Sequence, residues 1–171
     1  MGLKPETTRG LRQRGPADVE AALRACGVPY RLVQAGGARA DQAARSLGVE
    51  PSAVVKSLLF LADGQPVLVL VGGDRRADPH RLRHVLGARR VMIAPPRRVQ
   101  EATGYPPGAV PPVGHREPLP TWVDTALTEH TTVYTSGGAP DVMAALGFQD
   151  LLRATGGRLA NVSTSGKIRD R

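Results

Sequence analysis

Apolar residues in this chain come in short blocks separated by glycine and proline, and two blocks stand apart. Residues 54–61 (VVKSLLFL) and 67–71 (VLVLV) are almost unbroken apolar runs of strand length. Such runs suit strands buried on both faces, whereas a half-exposed strand alternates apolar and polar positions. Asp63-Gly64 between them is a tight-turn dipeptide, so the pattern predicts an antiparallel hairpin at the heart of a sheet. Upstream, Val19, Ala22, Leu23 and Cys26 recur at helical spacing behind Gly15-Pro16, and Gly27 stops that helix. A short strand follows at 30–33, broken by Gly36-Gly37, then a helix at 41–47 ended by Gly48. Asp78-Pro79 is a cap and first-turn proline, which predicts a helix over 79–86 closed by Gly87. Further on, the pattern gives a strand at 90–94, a helix at 96–102, a strand beginning at 122–124, a strand at 132–135 that ends in Ser136-Gly137-Gly138, where a backbone can come close to a ligand, a helix at 149–155 and a last strand at 158–162. Residues 141–146 fit either period and are read as strand, because Gly147 and the next helix follow at once. Strands and helices are interspersed, so the expected class is mixed α+β. One domain is expected over residues 16–162, with 1–15 a flexible leader and 163–171 a flexible tail.

Residues 104–120 break the alternation. Six prolines and three glycines in seventeen residues allow neither a helix nor a regular strand. Apolar residues recur inside the segment and strands resume after it, so it reads as a stiff loop rather than a linker. Stiff loops with bare backbone amides are good at binding oxyanions.

Composition narrows the class. At 171 residues and 41% hydrophobic content the chain can build a full core, made of Val, Leu and Ala because aromatics are only 4%. The lone Cys26 excludes an internal disulfide and lies on an apolar helical stripe. No apolar run has membrane-spanning length and no secretory signal pattern opens the sequence, so the expected location is the cytoplasm, with no membrane partner. The net charge of +8 is uneven: +3 lies in residues 1–14 and +2 in residues 163–171. Within the domain, Arg75, Arg76, Arg81, Arg83, Arg89, Arg90, Arg97 and Arg98 are opposed locally only by Asp74 and Asp78. That density on a folded surface would attract a polyanion, although an arginine-rich solvated face would look the same.

Candidate chemistry begins with Lys56. The chain has 23 basic residues, of which only Lys4, Lys56 and Lys167 are lysines. Lys56 therefore stands alone among arginines, in the most apolar stretch of the chain. A buried ammonium is costly unless an anion meets it. Lysine supplies a compact point charge where arginine supplies a planar fork. Alternatively, its stem lies along the sheet while the head stays wet. Other catalytic signatures are missing: there is no Gly-x-Ser-x-Gly elbow, P-loop, dinucleotide fingerprint or metal-ligand cluster. His80 and His84 have metal-compatible spacing but no third ligand, and His115 and His130 lack a serine or cysteine beside them.

Three motifs in order carry a resemblance: Val-Val-Lys56-Ser-Leu, then Thr-Gly104-Tyr-x-x-Gly108-x-x-x-Pro112-x-Gly114, then Tyr-x-Ser136-Gly137-Gly138. Together they resemble the YbaK/ProX family of aminoacyl-tRNA deacylases, whose module is also the editing insertion of bacterial prolyl-tRNA synthetases. The resemblance covers about residues 16–162. It implies a curved, barrel-like mixed sheet flanked by helices. It implies trans-editing hydrolysis of the ester between a wrong, small amino acid (Ala, Cys, Ser or Thr) and the 3′ end of tRNA, with no metal or other cofactor. Its partners would be tRNA and, as a further candidate, an aminoacyl-tRNA synthetase. Carried over, Lys56 would be the essential lysine and Gly108 the amide donor to the ester carbonyl. Pro112 and Gly114 would shape the loop, and Ser136 and Gly137 would line the opposite wall. The family is thought to recruit the ribose 2′-hydroxyl of the substrate, which fits the missing protein base. Arg75, Arg76, Arg97 and Arg98 become candidate tRNA contacts. The alternatives are a non-catalytic tRNA- or partner-binding module on the same fold, and a Schiff-base lysine enzyme.

Overall fold

A computed structural model describes residues 12–35 and 39–166. The expected break at Gly36-Gly37, most of the leader, and the tail beyond Gly166 lie outside the described residues. In chain order the elements are α1 (Pro16–Ala25), β1 (Arg31–Gln34), α2 (Ala40–Leu47), β2 (Val55–Ala62), β3 (Gln65–Gly72), β4 (Arg75–Ala77), α3 (Pro79–Leu86), β5 (Val91–Ile93), α4 (Pro96–Thr103), β6 (Thr121–Asp124), β7 (Thr132–Ala139), β8 (Val142–Gly147), α5 (Phe148–Thr155), β9 (Arg158–Ala160) and β10 (Ser163–Ser165). The class is mixed α+β.

The apolar hairpin is central, as its pattern predicts. β2 and β3 pair antiparallel from Val55↔Gly72 to Ala62↔Gln65. They occupy the middle of a five-stranded sheet ordered β5-β2-β3-β6-β9, in which β6 lies parallel to β3 and β9 parallel to β6. The sheet does not close into a barrel, since β5 and β9 are its edges. Both faces of β3 are covered. Leu68 and Leu70 enter a core shared with α1, α4 and α5. Val67, Val69 and Val71 meet Leu82 of α3 on the other face. A fully buried Val or Leu contributes about 1.5–3 kcal/mol, so this strand anchors the domain. A second, antiparallel sheet, β1-β8-β7, is joined to the first by a parallel bridge between Val54 and Tyr134.

Local chemistry sets the element ends. The carboxylate of Asp18 accepts the Gly15 amide at 2.9 Å at the start of α1, and Asp78 accepts the His80 amide at 2.9 Å at the start of α3. Two three-residue strands, β4 and β10, pair with each other, so residues 163–165 continue the fold where the sequence pattern reads a tail. β7 runs through Ser136-Gly137-Gly138 to Ala139, with a register shift between Ser136 and Ala139, where the pattern predicts an end. The glycines are required there by packing. A Cβ on Gly137 would lie 2.7 Å from Val142 Cγ1, and one on Gly138 would lie 2.9 Å from the Gly15 carbonyl carbon.

The 104–120 segment contains no helix or strand, and it is tied down at many points. Tyr105 is fully buried and its hydroxyl donates to the Gly114 carbonyl at 2.9 Å. Burial pushes the phenol pKa up to about 12, so it remains a donor. Arg14 donates to the same carbonyl at 3.2 Å, and its own amide donates to Gly104. His115 Nε2 lies 2.6 Å from the Pro111 carbonyl. Burial holds the His115 pKa below the usual range, against the pull of that carbonyl. These contacts are why the loop is stiff.

Candidate active site

Lys56 sits near the start of β2, opposite Val71. The pleat puts it on the face of Leu58 and Phe60, toward α3 and β4, rather than on the α1 side. Its stem is half-buried, and its ammonium donates to the main-chain carbonyl of Arg75. Among the described residues no carboxylate lies within ion-pairing distance of it. Burial lowers its pKa from the ordinary lysine value, nearby Asp74 opposes that shift, and Arg76 adds to it.

Lys56 opens onto a cleft of about 550 Å³ between the two sheets. The strand supplies Val54, Val55, Ser57 and Leu58 to one wall. The stiff loop supplies Gly108 and Val110, the β7–β8 hairpin Ser136, Ala139, Pro140 and Met143, and the α2 segment Arg39, Ala40, Asp41 and Ala43. Gly108 is exposed, with φ +85°, and a Cβ there would meet nothing within 4 Å. Among the described residues its N–H has no intramolecular acceptor. Ser136 joins two walls: its hydroxyl donates to the Ala109 carbonyl at 3.1 Å and accepts the Gly138 amide at 3.2 Å. The hydroxyl of Ser57 is buried without a hydrogen-bond partner, unusual for a native interior.

The structure thus brings Lys56, Gly108 and Ser136 to one cleft. Pro112 and Gly114 lie behind it. Pro112 is buried, and Gly114, at φ +81°, packs so tightly on α1 that a Cβ would fall 2.9 Å from the Asp18 carbonyl oxygen. Gly137 lies in the β7 irregularity against Val142 and does not line the cleft. The four arginines separate. Arg75 is half-buried, with its guanidinium on Ser163 and Asp124 rather than turned outward. Arg97 and Arg98 pair with Glu101 on α4. Arg76 is exposed and its charge reaches Lys56. Sequence reasoning missed Arg39, which lines the cleft mouth and pairs with Asp41 at 3.2 Å. Its neighbourhood of glycine and alanine gave no signal. His115 and His130 lie outside the cleft lining, and His80 and His84 line a separate depression of about 360 Å³ on α3. Among the described residues no three His, Cys, Asp or Glu side chains are grouped to hold a metal ion. No helix among them is long and apolar enough to cross a membrane.

Fold and cleft together define a mixed α+β domain with a lysine-bearing cleft between two sheets, lipped by a stiff glycine-proline loop. The profile of the aminoacyl-tRNA editing domain family matches residues 35–154, and the chain belongs to that family. It is 40% identical over 87 residues to a proline–tRNA ligase of Nitratidesulfovibrio vulgaris strain DP4, a match taking in 51% of this chain and 15% of the ligase. It is 34% identical over 116 residues to the proline–tRNA ligase of Desulfovibrio desulfuricans, 68% of this chain and 20% of that one. The match therefore spans a fifth or less of either ligase. A crystal structure of a candidate trans-editing enzyme for prolyl tRNA synthetase superimposes with a TM-score of 0.83 at 30% identity, covering 96% of this chain and 100% of that one.

Proposed function

We propose that the cleft hydrolyses the ester linking a mischarged, small amino acid to the 3′ end of tRNA, acting in trans in the cytoplasm. The observation that carries this reading is the meeting in one cleft of a half-buried ammonium and the Gly108 amide, neither of which has a carboxylate or carbonyl partner beyond the Arg75 carbonyl among the described residues. An aminoacyl ester is already activated, so the protein needs to place water and stabilise the growing negative charge on the carbonyl oxygen. Gly108 N–H serves that oxygen, and Lys56 meets the phosphate or polar groups of the terminal adenosine. Water oxygen bonds to the carbonyl carbon, the bond to the ribose oxygen breaks, and the proton ends on that ribose hydroxyl. The neighbouring 2′-hydroxyl helps orient the water, consistent with a lining in which no histidine takes part. Val54, Ala43, Ala139 and Met143 form an apolar floor suited to a short side chain. Arg39 in the cleft lining and the exposed Arg76, whose charge reaches Lys56, contact the RNA backbone, which favours affinity over sequence reading.

The test is a panel of tRNAs mischarged with Ala, Cys, Ser or Thr, scored for release of free amino acid. Release from at least one, abolished by Lys56→Ala in a folded protein, is expected. Binding of the panel without release would leave a tRNA-binding module instead. Trapping of Lys56 by borohydride with a carbonyl compound would point to Schiff-base chemistry.

A further inference from the structure

Lys56 depends on a strand with little hold of its own. Its ammonium donates to the Arg75 carbonyl of β4, a three-residue strand that is only partly buried. Pairing with β10 is the ladder that keeps β4 in register. The side chain of the same Arg75 reaches a buried polar cluster behind the cleft. Asp124, the last residue of β6, is 1% exposed. Its Oδ2 accepts from the Ser163 hydroxyl at 2.7 Å and lies 3.5 Å from Arg75 Nε. Its Oδ1 accepts the Val162 amide at 3.1 Å. Arg75 in turn donates to the Ser163 hydroxyl at 2.5 Å and to the Ser163 carbonyl at 3.4 Å. One carboxylate thereby ties β6, the entry to β10 and β4 together.

A buried carboxylate is tolerated only when paired and fully hydrogen-bonded, and a satisfied cluster of that kind fixes geometry. Asp124 does not line the cleft, so its role is not substrate contact. We propose that Asp124 is a positioning residue: acting through Ser163 and the Arg75 side chain, it holds the Arg75 carbonyl under the Lys56 ammonium and so sets that ammonium in the cleft. The kinetic half of this inference rests on the deacylase reading.

Asp124→Asn, Ser163→Ala, Arg75→Met and Arg75→Lys test it with two readouts. One is kcat and KM for deacylation of a mischarged tRNA. The other needs no activity: the apparent pKa of Lys56 in the free protein, from the pH dependence of amine labelling read by mass spectrometry. Asp74 and Arg76, the charged groups that act on Lys56, are unchanged in all four variants. Asp124→Asn is expected to lower kcat by about 10- to 100-fold through misplacement, with KM changed far less. The Lys56 pKa is expected to rise toward the ordinary lysine value as the ammonium escapes to water. Arg75→Lys should retain more activity than Arg75→Met, and Ser163→Ala, which keeps both charges, should show the same signs at smaller size. If Asp124→Asn does not fold, Ser163→Ala and the Arg75 pair decide the matter by the same readouts. Folded variants with wild-type kcat and an unmoved Lys56 pKa would overturn the proposal. Absence of release by the wild-type protein would defeat the deacylase reading, while the labelling would still decide the positioning.

Discussion

Lys56 and Arg75 are joined by one hydrogen bond, yet their surroundings handle a buried cation in opposite ways. Behind the cleft, Arg75 meets a carboxylate from its own chain, and Asp124 and Ser163 use their polar atoms on it. At the cleft wall, Lys56 has a carbonyl and aliphatic neighbours but no carboxylate partner among the described residues. The first arrangement is self-sufficient and serves structure. The second is left unbalanced toward a space large enough for a ligand, and an anion from outside would complete it. The contrast between these two cations sets the scaffold around Arg75 apart from the candidate site around Lys56.

The sharpest way to break that contrast is to remove the unmatched cation. Lys56→Ala is expected to lower kcat/KM for deacylation by on the order of 10²-fold or more, with an unchanged circular dichroism spectrum. Wild-type turnover in that variant would end the assignment. The two loop glycines extend the same contrast to the backbone. Gly108 faces open space, so Gly108→Ala should cost about 1 kcal/mol from its positive φ alone, while lowering activity at least about 10-fold by crowding the amide. Gly114 is packed on α1, so Gly114→Ala should cost about 2–3 kcal/mol, read by denaturant melts, with activity lost mainly in step with folding.

A smaller effect separates the arginines. Arg76→Gln is expected to raise KM and to reduce the slope of log(kcat/KM) against log salt by about 0.7, and Arg39→Gln, whose guanidinium is shared with Asp41, to reduce it by less. Arg97→Gln, already paired with Glu101, should leave that slope alone. The smallest effect concerns stability. Burial lowers the Lys56 pKa, so between its folded and unfolded values the unfolded chain holds more protons and stability rises with pH. At neutral pH the charged lysine therefore costs stability. Lys56→Met should raise Tm by about 2 °C, and that gain should shrink as pH climbs toward the ordinary lysine range. For the same reason KM should begin its alkaline rise below the pKa of an exposed lysine.

The apolar hairpin was legible because Leu68, Leu70, Val69 and Val71 had to be buried on two faces, in a short β-branched run that the Asp63-Gly64 turn sets off from its partner. Helix ends were legible from Asp78-Pro79, Gly48 and Gly87, whose chemistry is local. β4 and β10 were not, since Arg-Arg-Ala and Ser-Thr-Ser carry no hydrophobic period and become strands only by meeting each other. Gly137 and Gly138 resembled a ligand-facing strand end, but the bodies that come close to them are Val142 and the start of α1.

Local sequence determined where strands and helices begin, that the 104–120 segment would be stiff, and that Lys56 was out of place among aliphatic residues. Those features depend on covalent geometry and on burial of side chains near in sequence. Tertiary structure alone decided which charges are consumed and which remain available. Asp124 and Arg75 lie 49 positions apart in the chain, yet pair across strands, while Arg76, one residue along, is left to solvent. An ammonium's cost depends on every group within a few ångströms, and the three-dimensional path of the chain sets those distances.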